Sequence, residues 1–70
     1  MIILRRVEAA SSKPWCWHAI DYMKEMSLEG KAKTPQDALN AALDALVLLE
    51  ECETWDDRNR AQETIVRLYG

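Results

Sequence analysis

The chain of 70 residues has no phenylalanine, two glycines, two prolines, two cysteines and one histidine. Each scarcity closes off a class of function. Cys16 and Cys52 are too few for a disulfide framework, so free thiols in a reduced, cytoplasmic compartment are expected. The only glycines are Gly30 and Gly70, so no glycine-rich phosphate loop can be built. Cys16, His18 and Cys52 offer three soft ligands where zinc usually takes four, and no metal or other cofactor is expected. Cys16 and His18 stand two apart, about 6–7 Å along a strand, too far for a thiol–imidazole hydrogen bond. No catalytic residues are therefore assigned, and the chain reads as a non-enzyme. No stretch reaches the roughly 18–20 apolar residues of a membrane span, and residues 1–7 do not resemble a secretory signal. Starting at Met1 without a tag, the chain reads as a complete small gene product in one domain, 1–70. Domains of this size are marginal alone and often gain stability from a partner.

A strong positive charge is also missing. The net charge of −3 divides unevenly. Residues 1–34 hold six Lys/Arg and four acids, giving +2, whereas residues 35–70 hold three Arg and eight acids, giving −5. That is not a basic nucleic-acid footprint, and direct nucleic-acid binding is disfavoured.

Helix signals dominate the second half. Thr34-Pro35-Gln36-Asp37 supplies an N-cap, a proline at the first helical position and an acid three residues after the cap, predicting a helix over about 35–51. Leu39, Leu43 and Leu46 form one stripe, expected to pack on a sheet. Ala38, Ala41, Ala42 and Ala45 form a flatter face beside it with Leu49. Such an alanine face admits close helix approach. It is expected to receive either the C-terminal helix, through Ile65 and Leu68, or a second copy in a homodimer through residues 38–45. Thr54 and Asp57 open a second helix, about 55–69, with Ala61, Ile65 and Leu68 as its buried stripe. Asp56, Arg60, Glu63 and Arg67 alternate in sign along a solvated face.

In the first half, Met26-Leu28-Gly30-Ala32 alternates against Ser27-Glu29-Lys31-Lys33, the period of a half-buried strand. Strands are expected at about 2–8, 15–22 and 26–33, giving an α+β fold: a three-stranded antiparallel meander followed by two helices on one face. The competing reading makes residues 14–29 a helix in an all-α fold, because Met-Lys-Glu-Met-Ser-Leu-Glu favours helix and no Gly or Asn marks a tight turn at Lys24-Glu25.

Two groups of residues are candidates for contact with a protein partner. Trp15, Trp17 and Tyr22 form an aromatic cluster of the kind enriched at binding hot spots. Glu50, Glu51, Glu53, Trp55, Asp56 and Asp57 gather five acids around a tryptophan. Asp56 and Asp57 suit a helix start, but Glu50, Glu51 and Glu53 stand at a helix C-terminus, where acids oppose the dipole. Acids placed against a local preference suit a surface aimed at a basic partner.

Trp15-x-Trp17-x-x-x-Asp21, then Glu29-Gly30-x-Ala32-x-Thr34-Pro35-x-x-Ala38-Leu39 and an alanine–leucine helix, resembles short phage and mobile-element proteins. HicB-type antitoxin domains share the second half of this pattern, and some anti-CRISPR proteins are similar in size, acidity and layout. The similarity covers residues 15–49. It implies a small inhibitor that occludes a basic, nucleic-acid-binding surface of a host defence complex, or an antitoxin that neutralises a toxin. The segment that many HicB-type antitoxins append for DNA binding has no counterpart here.

Overall fold

The alternating segment 26–33 does form a strand, and the rest of the molecule is organised on it. The computed structural model describes residues 1–7 and 12–69. It has strands β1 (Ile2–Arg6), β2 (Trp15–Asp21) and β3 (Met26–Ala32), then helices α1 (Pro35–Glu51) and α2 (Trp55–Tyr69). The strands form one antiparallel sheet in the order β1-β2-β3. This is the expected α+β arrangement, and the helix considered for residues 14–29 does not form. Period-2 burial wins over local helix propensity because it gives the segment a core to face. β2 and β3 each end one residue earlier than expected. β1 ends at Arg6, short of the expected Val7, and Glu8 lies outside the described residues.

Register assigns the faces. Trp17 lies opposite Leu4 on one side and Gly30 on the other, and Ala19 lies opposite Ile2 and Leu28. The inner face therefore carries Ile2, Leu4, Trp15, Trp17, Ala19, Met26, Leu28 and Ala32, all buried or half-buried. The outer face carries Ile3, Arg5, Cys16, His18, Ile20, Ser27, Glu29 and Lys31. Gly30 is required by its neighbour. A Cβ built there would lie 2.6 Å from Trp17 Cζ2 and 2.7 Å from both Cε2 and Nε1, so the indole covers the bare backbone of the cross-strand glycine.

The β2–β3 turn manages without Gly or Asn. Asp21 Oδ1 accepts from the backbone N–H of Met23 (3.0 Å) and Lys24 (3.2 Å), an Asx-type turn. Glu25 takes the left-handed conformation, with φ 55°.

α1 begins as expected: Thr34 Oγ1 accepts from Asp37 N (3.1 Å), with Pro35 next to the cap. Its packing corrects the sequence reading. The alanine face meets the sheet, with Ala38, Ala41, Ala42, Ala45 and Leu49 buried. The leucine stripe is displaced to the side: Leu39 and Leu46 are half-buried, and Leu43 is 48% exposed. The sheet already presents bulky Trp17, Met26 and Leu28, so the opposing helix face must be small for the backbones to approach. The dimer expected through residues 38–45 thus finds its alanine face covered within a single chain.

α2 opens with a reciprocal capping box. Thr54 Oγ1 accepts from Asp57 N (3.2 Å), while Asp57 Oδ2 accepts from the backbone N–H of Thr54 (3.2 Å) and Glu53 (3.0 Å). Ala61 and Ile65 are buried as expected, but Leu68 points to solvent and Tyr69 is half-buried, donating its hydroxyl to Asp44 of α1. The helix lies along β3. Arg58 Nε donates to Ser27 O (2.8 Å), Gln62 Nε2 donates to Glu29 O (2.7 Å), and Glu29 N donates to Gln62 Oε1 (3.1 Å). Two side chains one turn apart thereby cover the Ser27–Glu29 part of the β3 edge, which would otherwise be a pairing template.

Candidate protein-contact surface

The aromatic residues expected to act together divide between core and surface. Trp17 is 1% exposed and belongs to the core, so its assignment to a partner surface is corrected. Its inward position follows from the pleat: the residue opposite Leu4 and Gly30 shares their face. Its Nε1 has no hydrogen-bond partner among the described residues. Trp15, on the same face near the sheet's end, is half-buried against the core. Only Tyr22, beyond the end of β2, is exposed, and its hydroxyl donates to Met1 Sδ (3.0 Å).

A different grouping emerges at the end of the molecule where the β2–β3 turn meets the end of α1. Lys24, half-buried in that turn, donates from Nζ to the carbonyls of Leu49 (2.8 Å), Glu50 (2.7 Å) and Cys52 (2.8 Å). Carbonyls at a helix C-terminus lack intrahelical partners and carry the negative end of the dipole, so one ammonium satisfies both needs. α1 has no basic residue of its own in its last turn; the hairpin supplies the cation instead. This link fixes Tyr22 and Met23 beside the acidic connection. Met1, Tyr22, Met23, Leu46 and Glu50 share the lining of one shallow hollow there. Met23, which the sequence reading passed over, is 95% exposed at the tip of the turn. Its only sequence signal is an apolar residue inside a polar turn.

Glu50, Glu51, Glu53 and Asp56 are all exposed, and Trp55 among them is 61% exposed. Among the described residues the contacts between a basic and an acidic side chain are His18–Glu29 (3.0 Å) and Arg60–Asp57 (3.7 Å). None of these four acids is paired, because Lys24 is engaged with carbonyl oxygens. Asp57 stands apart. Hydrogen bonds from the Glu53 and Thr54 backbone hold its carboxyl below the usual aspartate range, with the Thr54 hydroxyl and Arg60 adding to the effect. It serves the cap first and the surface second.

The cysteines and the histidine are dispersed. Cys16 and His18 lie on the outer sheet face, where His18 Nε2 faces Glu29 Oε2 across the strand pair at 3.0 Å. Cys52 is buried on the helix side, its thiol donating to Leu48 O (3.3 Å) and pushed up by burial, with Asp57 next in effect. Among the described residues no three His, Cys, Asp or Glu side chains gather as a metal site would require. No helix among them is long and apolar enough to cross a membrane. Comparison with family models, with curated proteins and with solved structures finds no match for this chain.

Proposed function

We propose that the chain is a non-enzymatic binding protein that presses this acidic, aromatic end against a basic surface of another protein. The observation that carries the reading is the combination at one end of four unpaired carboxylates with exposed Trp55, Tyr22 and Met23. Unpaired acids steer the encounter with a cationic face, and the aromatic and methionine side chains supply area that can be desolvated on contact. The partner that fits best is a nucleic-acid-binding groove, whose lysines and arginines are already spaced for phosphates. Occupying it would inhibit a cytoplasmic host defence complex in the manner of anti-CRISPR proteins. A basic toxin has the same chemistry and is the partner that the HicB-type resemblance implies.

The test is competition. The chain is titrated into a guide-RNA-directed DNA nuclease complex, and target binding is followed at two salt concentrations. Target binding falls as the chain is added, and the inhibition weakens with salt. Glu51→Lys with Glu53→Lys, or Trp55→Ala, removes it while the far-ultraviolet circular dichroism is unchanged. Inhibition that survives both variants refutes this surface. Absence of inhibition, together with rescue of growth on co-expression with a toxin, assigns the surface to the toxin instead.

A further inference from the structure

The two edges of the sheet are treated differently. On β3, Arg58 occupies the outward-facing carbonyl of Ser27, and Gln62 both outward-facing groups of Glu29. On β1, the bonds to β2 come from the odd residues: Met1 N donates to Ile20 O (2.9 Å), Ile20 N donates to Met1 O (2.8 Å), and Val7 N donates to Pro14 O (2.8 Å). The alternation of an antiparallel ladder then turns the N–H and C=O of Ile2, Leu4 and Arg6 away from the sheet. Among the described residues nothing bonds to them. Natural edges are usually blunted by proline, lysine, a bulge or a covering element. Ile2, Ile3 and Leu4 have none of these; the charges are Arg5 and Arg6 at one end and the Met1 ammonium, held by Ile20 O, at the other.

Apolar surface flanks this open edge. α1 touches α2 through Asp44, bonded to Tyr69, and lines a hollow with α2 through Leu48. Because α2 lies along β3, the opposite flank of α1, carrying Leu39, Leu43, Leu46 and Glu50, is the one above β1. Ile2 and Leu4 are half-buried beneath it.

We propose that β1 pairs antiparallel with β1 of a second copy of this chain, extending the sheet across a two-fold axis at Leu4. A self-pairing edge must be complementary to its own reverse, and this one is. With Leu4 opposite Leu4, Ile2 falls opposite Arg6 and Ile3 opposite Arg5, so no arginine faces another. Each hydrogen-bonded pair exchanges two bonds through groups that the monomer leaves unused. A register shifted so that Arg5 opposes Arg5 would set like charges together. In the favoured register, Arg6 of one copy lies on the inner face beside Ile2 of the other. That places it next to Met1, which shares a hollow with Glu50, and sets opposite charges across the axis. The half-buried Ile2 and Leu4 of both copies then become the floor of one continuous apolar strip between the two α1 helices.

The proposal is tested by sedimentation equilibrium of the full chain between about 1 and 200 µM. The wild-type chain is expected to be dimeric at the upper end of this range. Ile2→Pro and Arg6→Pro each delete an N–H that β2 does not use. Each should raise the dissociation constant by at least about tenfold while leaving the circular dichroism unchanged. Arg6→Glu should weaken the dimer, and Glu50→Arg in the same chain should recover it. A strictly monomeric wild-type chain overturns the proposal. So does a dimer indifferent to the two prolines or to Arg6→Glu.

Discussion

Gly30→Ala is the substitution that most directly tests how the core is built. Alanine is normally the better residue in a strand interior, and the exchange alone should gain about 0.5–1 kcal/mol. Here the new Cβ would stand 2.6–2.7 Å from three atoms of the Trp17 indole. Carbon atoms rest at about 3.5–4.0 Å, so the ring or the strand must retreat by roughly 1 Å. The indole is rigid and 1% exposed, with no flexible end to swing aside. Overpacking of this kind costs about 1–3 kcal/mol, and contact with three ring atoms at once puts it in the upper half. After the strand gain, the net loss is about 1–2.5 kcal/mol. A domain of this length holds only about 4–10 kcal/mol in total, so Tm should fall by roughly 4–20 °C.

The assay is urea denaturation followed by circular dichroism, repeated in a Trp17→Phe background. Phenylalanine withdraws the outer part of the fused ring, so the cost of Gly30→Ala should shrink by about 1 kcal/mol or more in the double-mutant cycle. A neutral or stabilising Gly30→Ala, or a cost that is the same in both backgrounds, would refute the reasoning.

Three further outcomes follow from the same structure. Lys24→Met leaves three carbonyls at the end of α1 without their cation and should cost about 2–3 kcal/mol in urea denaturation; a loss below about 0.5 kcal/mol would mean water replaces the ammonium. A chromogenic disulfide reagent should label the half-buried Cys16 first and reach Cys52 only on unfolding, since Cys52 is buried and its thiol is pushed up; equal rates would contradict that burial. Asp57 titrates below its ordinary value in the fold, so its contribution is present above the unfolded carboxyl pKa of about 3.9 and is lost as pH falls through the lower folded value. Wild-type and Asp57→Asn chains should therefore differ in Tm at neutral pH and converge in strong acid; a gap that widens in acid would reverse the sign.

The architecture was legible because its signals are local. Thr34-Pro35 and Thr54-x-x-Asp57 mark helix starts through bonds spanning three residues, and both form as read. The period of residues 26–32 likewise needs only an inside and an outside. Which face of α1 would be inside was not legible. A leucine stripe and an alanine face are equally apolar as patterns, and the choice depends on the bulk that the sheet presents, above all Trp17. Trp17 itself illustrates the limit. Aromatic residues at two-residue spacing on a strand suit a core or a hot spot equally, and only the register with Leu4 and Gly30 decides between them. Glu50, Glu51, Glu53 and Trp55 are exposed as their placement suggested. Their neighbour Met23 has no local signal, because the hairpin reaches them through Lys24, a contact spanning more than 20 residues of sequence.

The closed β3 edge shows how a residue with no sequence signal can still set the terms of function. Arg58 and Gln62 are ordinary helix-surface residues, four apart. Four residues of helix advance about 6 Å, and two residues of strand advance about 6.8 Å. A helix laid along a strand can therefore place side chains at i and i+4 over successive outward-facing backbone groups, as Arg58 does for Ser27 and Gln62 for Glu29. This match makes α2 an edge cover as well as a core element, and it restricts strand addition to the other side of the sheet. There Ile2, Leu4 and Arg6 present the same groups without a cover. The acidic end and the open edge are therefore distinct surfaces that meet at Met1, Leu46 and Glu50. Glu51, Glu53 and Trp55 stand clear of β1, so variants at these residues probe the first surface without touching the second.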